Sequence, residues 1–322
     1  MTRGWTLVEL LTVIAVVTFL LGMGVGGYLM LQRHSGIDTD VTTIHSMAST
    51  ARTLAAAKGK FAWLVCDAEK STVRLVSLMP AGALHFEELD EQGRYPGGGR
   101  PSAAFGTVVV PGRVGNGCLF EAPESYVRCG GMARFPLTEG FRIEMWIFPK
   151  ENREQTIVSR EHQLTFNLDE RGSPWAVLQI GENEGSKEIV LENEQFWVQS
   201  ESWSYIELSY DRFAFILKVN GVVVASEKCT LPVAESNSPL LLGKSEEGFS
   251  GIIDEFVLQV IDEVSKHTLS ENVLLSNSQT FEFRPPFSGE LSAPGGKQPR
   301  EIELKDSDGT TLATINLERE TK

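Results

Sequence analysis

The feature that most constrains this chain is an uncharged apolar stretch near its amino terminus. Residues 10–31 are 22 positions without a charged side chain. At 1.5 Å per residue they form a helix of roughly 33 Å, which is long enough to cross a bilayer. The apolar core of a cleaved secretory signal is shorter, at about 7 to 15 residues. The stretch therefore predicts one membrane-spanning helix.

A carboxylate lies at the edge of this apolar stretch. At mid-bilayer the side chain of Glu9 costs about 2.5 to 3.5 kcal/mol to insert, so it needs a compensating partner. The residues around it resemble the cleavage and methylation signal of type IV pilins and type II secretion pseudopilins, and they read Arg3-Gly4-Trp5-Thr6-Leu7-Val8-Glu9-Leu10-Leu11.

The resemblance to pilins implies a role for each of three residues. A prepilin peptidase cleaves after Gly4, the new terminus at Trp5 is methylated, and Glu9 pairs with the terminal amine of a neighbouring subunit. Arg3 favours a cytoplasmic amino terminus by the positive-inside tendency. We therefore expect a single-pass protein of the inner (cytoplasmic) membrane, with its carboxyl-terminal part in the periplasm or outside the cell. A simple membrane anchor that never assembles is the alternative.

The segment after the apolar stretch predicts a second helix. Apolar residues recur at spacings of three and four, which is typical of one buried helix face; they are Ile37, Val41, Ile44, Ala48, Ala51 and Ala55. Two strand-like runs follow, at 61–66 and 72–79, with a turn between them. This order is similar to that of a pilin subunit, and residues 51–66 resemble H-type minor pseudopilins.

The remainder of the chain predicts an antiparallel β-sandwich. Apolar residues alternate with polar ones in two runs, around 141–147 and 213–219, as in half-buried strands. Asn220-Gly221 lies between two such runs, which is the strongest short signal for a hairpin. The glycine- and proline-rich segment 95–101 predicts a linker before the sandwich.

Several ordered stretches are similar to laminin-G-like, concanavalin A-like jelly rolls. They fall between Phe105 and Val260, at 115–120, 141–149, 203–211, 219–222, 241–243 and 248–256. The resemblance implies this fold, in a family that includes sugar binders, protein binders and enzymes.

The charge balance argues against nucleic-acid binding, and the lack of a carboxylate-pair motif argues against glucan hydrolysis. With 29 Lys plus Arg against 43 Asp plus Glu, the net charge is −14, which argues against nucleic-acid binding. Glucan hydrolases of this fold carry a carboxylate pair on alternate strand positions. Asp254 and Glu255 are adjacent, so on a regular strand they point to opposite faces. We therefore expect a protein that is not an enzyme.

Three further features leave alternatives open. Asp254 and the loop 305–309 offer oxygen ligands for calcium, although a hydrogen-bonding role for Asp254 and a hairpin turn for the loop are favoured, and no cofactor is expected. Cys118 and Cys129 bracket two short runs that predict a hairpin, in which they form either a disulfide or two buried thiols. Four tryptophans either stack on sugars or, as we favour, fill the core; they are Trp146, Trp175, Trp197 and Trp203.

These observations predict six segments. They are a leader (1–4), a membrane helix (5–34), an amphipathic helix with a small β unit (35–95), a linker (96–104), a jelly roll (105–265) and a β-rich appendix to it (266–322). The function predicted is that of a pilin-like or pseudopilin-like subunit that displays a binding domain. Its bulky head suits a minor or tip subunit better than a repeated major one. Its partners would be the peptidase, other pilin subunits, the lipid bilayer and a glycan or protein ligand. The alternative is a membrane-anchored carbohydrate- or protein-binding module.

Overall fold

A computed structural model describes residues 36–57, 61–96, 101–121, 124–181, 186–193, 195–243, 248–283 and 301–317. The chain divides into two compact units, one from residues 1–77 and 263–322 and the other from residues 78–262. Within the described ranges, no helix is long and apolar enough to cross a membrane. The predicted membrane helix and the predicted processing residues Gly4, Trp5 and Glu9 lie outside those ranges.

Among the residues that the structure describes, one α-helix, α1 (residues 36–57), precedes 21 strands. A short 3-10 helix spans Met132–Arg134. The strands, in chain order, are β1 (Ala62–Asp67), β2 (Thr72–Leu84), β3 (Arg94–Tyr95), β4 (Ser102–Phe105), β5 (Thr107–Pro111), β6 (Asn116–Phe120), β7 (Tyr126–Arg128), β8 (Phe141–Pro149), β9 (Gln155–Arg160), β10 (Leu164–Leu168), β11 (Pro174–Ile180), β12 (Lys187–Leu191), β13 (Ser204–Tyr210), β14 (Ala214–Val219), β15 (Val222–Lys228), β16 (Leu241–Leu242), β17 (Gly251–Thr268), β18 (Leu274–Leu275), β19 (Gln279–Phe283), β20 (Glu301–Lys305) and β21 (Thr311–Asn316).

The helix of the first unit packs through the face that its apolar spacing predicts. Ile44, Ala48, Ala51 and Ala55 are buried in one hydrophobic cluster, and Ile37 and Val41 pack at its margin. Small residues at three- and four-residue spacing allow the helix backbone to lie close to the strands beneath it. The predicted amphipathic helix is therefore confirmed.

The carboxyl-terminal strands share the core of this first unit. β1 forms a hairpin with β2 and pairs on its other edge with β19, while β18, β20 and β21 form a separate three-stranded sheet. Leu304 and Ile315, from β20 and β21, are buried in the same cluster as α1. The structure thus differs from the expected appendix on the jelly roll, because strands distant in sequence complete the sheet of β1 and cover the helix.

The second unit is an antiparallel sandwich, as predicted. Its front sheet has the order β15-β14-β13-β8-β17, with β6 pairing to β17 and β5 to β6. Its back sheet has the order β12-β11-β10-β9-β16-β7-β4-β3. The expected linker 96–104 differs from the structure at its end, because Ser102 is buried in β4.

The sandwich core follows from strict alternation along its strands. In β8, Ile143, Met145 and Ile147 are fully buried, and the residues between them are half-exposed. Phe166 and Leu178 of the back sheet meet them in one cluster. Burial of apolar side chains from both inner faces stabilises the sandwich by roughly 1.5 to 3 kcal/mol for each large residue.

Candidate functional site

The outer side of the front sheet carries a row of aromatic rings. On β8, Trp146 and Phe148 occupy the positions that alternate with the core residues, so both rings face away from the core. On the neighbouring strand, Tyr205 lies directly opposite Trp146, with ring centroids 5.2 Å apart. Trp203 precedes β13 and its ring centroid is 5.4 Å from that of Phe148. We call these four residues the aromatic ladder.

A groove of about 340 Å³ opens at the Trp203 end of the aromatic ladder. Its most exposed aromatic ring is Trp197, whose relative exposure is 49%. Neutral amides and hydroxyls accompany the rings along its wall. The residues that line the groove are Gln195, Phe196, Trp197, Gln199, Ser202, Trp203, Ser204 and Asn220. Aromatic surface combined with a few convergent polar groups is typical of small-molecule sites.

The loop that presents Trp197 is held to the sandwich by backbone hydrogen bonds. The amide of Val198 donates to Gly172 O at 2.9 Å, and the amide of Glu201 donates to Pro149 O at 2.7 Å. The side-chain amide of Asn193 donates to Phe196 O at 2.8 Å. Val198 is buried while its neighbour Trp197 is exposed. The loop backbone is therefore anchored on both sides of Trp197, whose ring is exposed.

The β14–β15 turn contributes Asn220 to the lining of the groove. Asn220 and Gly221 both have positive φ, at 50° and 81°, as the predicted two-residue hairpin turn requires. Asn220 and Tyr205 form two hydrogen bonds, each of 2.8 Å. The backbone amide of Asn220 donates to the backbone carbonyl of Tyr205, and the backbone amide of Tyr205 donates to the side-chain Oδ1 of Asn220. The turn is therefore fastened to the strand that carries the aromatic ladder.

Ion pairs border the aromatic ladder on its other side. Glu207 and Glu144 lie opposite each other on β13 and β8. Arg142 lies within 4.0 Å of Glu144 and 3.8 Å of Glu207, and Lys218 lies 2.7 Å from Glu207. Burial, with the nearby charges of Glu144 and Glu207, raises the pKa of Tyr205 to about 12. The two carboxylates are thus paired with cations.

The Asp254-Glu255 pair departs from the sequence-based prediction. A β-bulge in β17 shifts the register between Asp254 and Val257, and Glu255 has a φ of 50°. Burial alternates up to Ile253 and resumes at Phe256, so the bulge inserts one residue into the alternation. The prediction that the two carboxylates point to opposite faces assumed a regular strand, and the strand is not regular at this pair.

Both carboxylates at the bulge have partners. Asp254 is fully buried, and it accepts the amides of Arg113 and Val114 on Oδ2 at 2.7 and 2.8 Å and that of Glu255 on Oδ1 at 2.7 Å. Burial raises the pKa of Asp254, an effect that these donors oppose. Glu255 lies 2.8 Å from His85 Nδ1. The Asp254 oxygens therefore serve as backbone acceptors in this structure.

The second calcium candidate is a hairpin turn. Asp306 joins β20 to β21, and its Oδ1 accepts the amides of Asp308 and Thr310 at 3.0 and 2.9 Å. Throughout the described ranges, no group of three or more His, Cys, Asp or Glu side chains is arranged to hold a metal ion.

Cys118 and Cys129 do not lie on one hairpin. Cys118 is in β6 of the front sheet, whereas Cys129 follows β7 of the back sheet, and both are buried free thiols. The expected hairpin was wrong, since the two short runs pair with different sheets. Burial raises the pKa of Cys118 to about 11 and raises that of Cys129 further.

The expectation that the tryptophans fill the core was also wrong. Trp146, Trp175 and Trp203 are half-exposed, and Trp197 is exposed. The alternation in β8 places Trp146 on the strand face opposite to the core residues, so the sequence already indicated that this ring lies outside the core. The sequence could not predict that Trp197, Trp203 and Asn220 line one groove, because the loop of residues 195–203 has no periodic pattern that fixes its path.

Comparison with known proteins identifies the region of the sandwich. A family model of the concanavalin A-like lectin/glucanases superfamily matches residues 121–260. No curated protein matches the sequence significantly. The predicted resemblance to laminin-G-like, concanavalin A-like jelly rolls is thereby confirmed for this region.

Three solved structures illustrate the similarity. Domain 4 of AbnA, a GH43 extracellular arabinanase from Geobacillus stearothermophilus, in complex with arabinotriose, is 15% identical over 58% of this chain and 95% of that chain, with a TM-score of 0.44. The binding domain of Paraclostridial Mosquitocidal Protein 1 is 16% identical over 56% of this chain and 48% of that chain, with a TM-score of 0.43. Domains LG4-5 of the mouse laminin alpha1 chain are 13% identical over 46% of this chain and 42% of that chain, with a TM-score of 0.36. The chain spans less than half the length of the last two.

Proposed function

We propose that the sandwich is a carbohydrate-binding module and that the groove beside the aromatic ladder is its binding site. The observation that carries the proposal is the exposed Trp197 ring, which lies on a backbone-anchored loop and lines the same groove as Trp203 and Asn220. The C–H face of a sugar ring packs on an aromatic ring, and amide groups match its hydroxyls because they both donate and accept hydrogen bonds. A solvent-exposed tryptophan otherwise leaves a large apolar surface in water.

The test is a glycan array probed with the full chain and two variants. Trp197→Ala removes the exposed ring, and we expect it to abolish the signal on every bound glycan. Trp175→Ala is the matched control, because it removes a half-exposed tryptophan from β11 of the back sheet. Retained binding by Trp197→Ala, or equal loss in both variants, would contradict the proposal.

The ion-paired state of the carboxylates supports binding rather than hydrolysis. A retaining glycosidase needs one carboxyl group as proton donor and a second as nucleophile. Arg142 contacts both Glu144 and Glu207, and Lys218 contacts Glu207. Both carboxylates are therefore engaged by cations of the protein itself.

A second proposal concerns how the module is displayed. The observation that favours it is the Gly4-Trp5 junction followed by Glu9 and an apolar stretch. We propose that a prepilin peptidase cleaves after Gly4, that Trp5 becomes the methylated terminus, and that Glu9 pairs with the amine of another subunit. The module would then be carried on a pilin-like assembly in the inner membrane and face the periplasm or the outside of the cell.

Mass spectrometry of the mature amino terminus tests this display. We expect a chain that begins at methylated Trp5, and we expect Glu9→Ala to block incorporation into the assembly while glycan binding is retained. A chain that remains intact from Met1 in cells with an active peptidase would reduce the segment to a membrane anchor.

A further inference from the structure

The chemistry of the groove wall points to one class of ligand. Besides its aromatic rings, the groove is lined by three amide side chains, Gln195, Gln199 and Asn220, and by two hydroxyls, Ser202 and Ser204. No charged side chain belongs to this lining in the part of the chain that the structure describes. The anionic group of a carboxylated or sulfated sugar would therefore lose hydrating water in the groove and gain no cation in exchange. Burial of such an uncompensated charge is costly.

Charged groups adjacent to the lining in sequence and beside the aromatic ladder reinforce this selection. Glu201 is exposed and immediately precedes the lining residue Ser202. On the aromatic ladder side, Lys218 and Arg142 are engaged with Glu207, and Arg142 with Glu144 as well. These cations are committed to carboxylates of the protein. The chain as a whole carries a net charge of −14, so an anionic glycan is also repelled at longer range.

We infer that the groove selects uncharged glycans over carboxylated or sulfated ones. This inference rests on the proposed carbohydrate-binding function and adds its ligand class. Trp197 and Trp203 supply the surface for sugar rings. The two glutamines supply donors and acceptors for neutral hydroxyl groups, and Asn220, whose Oδ1 accepts the amide of Tyr205, supplies its side-chain NH2 as a donor.

Arg113 is the cation that an acidic sugar would bind if the groove did not select neutral glycans. Its guanidinium lies over the Trp146 ring at 5.1 Å from the ring centroid. An acidic sugar that reached along the aromatic ladder would find its cation there. Arg113→Gln removes this charge while its backbone amide still donates to Asp254, so the variant distinguishes the two ligand classes without removing that hydrogen bond.

The experiment measures binding of matched oligosaccharides to the full chain. The probes are neutral oligomers of glucose, galactose and arabinose, with uronic-acid and sulfated oligomers of the same length. We expect neutral oligomers to bind at least tenfold more tightly than charged ones. Their affinity should change little in Arg113→Gln, or when the salt concentration rises from about 0.1 to about 1 M, which shortens the Debye length from about 10 to about 3 Å.

The outcomes separate this inference from the proposed function. Equal or tighter binding of charged oligomers that is lost in Trp197→Ala would overturn the neutral class and leave the carbohydrate site standing. Loss of that binding in Arg113→Gln would place the acidic group at Trp146. Absence of binding to every oligomer would overturn both the ligand class and the carbohydrate function.

Discussion

The guanidinium of Arg113 lies over the ring of Trp146, 5.1 Å from its centroid, and buried Asp254 holds the loop that places it there. Asp254 accepts the backbone amides of Arg113 and Val114 with one oxygen. Gly112 fits beside this oxygen only because it lacks a side chain, since a Cβ at that position would lie 2.6 Å from Oδ2. The loop that carries Arg113 is thus joined to the bulge of β17 through one carboxylate.

Replacement of Asp254 by Ala should lower the free energy of unfolding by about 2 kcal/mol or more, because three backbone donors lose their acceptor. Chemical denaturation measures the change. Asp306→Ala is the control: this carboxylate also accepts backbone amides, but in an exposed turn, so its loss should cost under about 1 kcal/mol. Similar values for the two variants would contradict the role of Asp254.

Arg160 ties together three loop carbonyls from inside the sandwich. Its guanidinium is buried and donates to Ser238 O, Ser236 O and Phe135 O at 2.9 to 3.2 Å. Hydrogen bonds to a charged group contribute about 1.5 to 3 kcal/mol each. Arg160→Lys keeps the charge but loses the planar fork of donors, so we expect a loss of about 2 to 4 kcal/mol in denaturation experiments.

Arg153→Lys is the matched control for that substitution. Arg153 also donates to a backbone carbonyl, that of Gly248, but it is more exposed and pairs with Glu151 on the surface. Its replacement should change the free energy of unfolding by less than about 1 kcal/mol. If Arg160→Lys were equally mild, the buried guanidinium would not be needed to hold the loops.

Asp211 should make stability depend on pH. Burial raises the pKa of this carboxyl group in the folded state, although the amides of Phe213 and Ala214 oppose the shift. The folded chain therefore holds this proton more tightly than the unfolded chain, in which the pKa is about 3.9. Stability falls as the pH rises from about 3.9 through the raised value, and it is level above that value.

The Asp211→Asn variant lacks this titration and keeps a side-chain acceptor. Denaturation of both proteins between about pH 3.5 and 6.5 isolates the contribution of Asp211, since the other groups cancel in the difference. We expect the variant to gain stability relative to the natural chain as the pH rises. Parallel curves would show that the pKa of Asp211 is the same in the folded and unfolded states.

The four cysteines should differ sharply in reactivity. Cys66, Cys118 and Cys129 are buried, and burial raises the pKa of Cys66 to about 12, so little of the reactive thiolate forms near neutral pH. Cys229 is half-exposed. We expect iodoacetamide at about pH 8 to modify Cys229 alone in the native chain, as read by peptide mass spectrometry.

The same reagent counts the thiols of the unfolded chain. Without reductant, all four cysteines should be modified after denaturation, because the structure contains Cys118 and Cys129 as free thiols. Modification of only Cys66 and Cys229 would reveal a disulfide between the other two.

Local patterns predicted the elements of the fold well. The spacing of Ile44, Ala48 and Ala51 identified the buried face of α1, and Asn220-Gly221 identified its hairpin. Both signals act over a few residues, where side-chain period and backbone φ decide the outcome. The alternation around Ile143 likewise predicted a half-buried strand.

Features that depend on long-range pairing or on one inserted residue were not predicted. The bulge at Glu255 has no local signal, yet it breaks the regular alternation on which the prediction for Asp254 and Glu255 relied. Cys118 and Cys129 are close in sequence but belong to different sheets. The groove joins the loop of Trp197 to the turn of Asn220, a meeting that only the folded chain defines.

Isothermal titration with the neutral oligosaccharide that gives the strongest array signal measures whether sugars bind in the groove. We expect saturable binding by the full chain, at least tenfold weaker binding by Trp197→Ala, equivalent to about 1.4 kcal/mol, and unchanged binding by Trp175→Ala. Equal affinity in the chain and in Trp197→Ala would show that sugars do not bind in the groove.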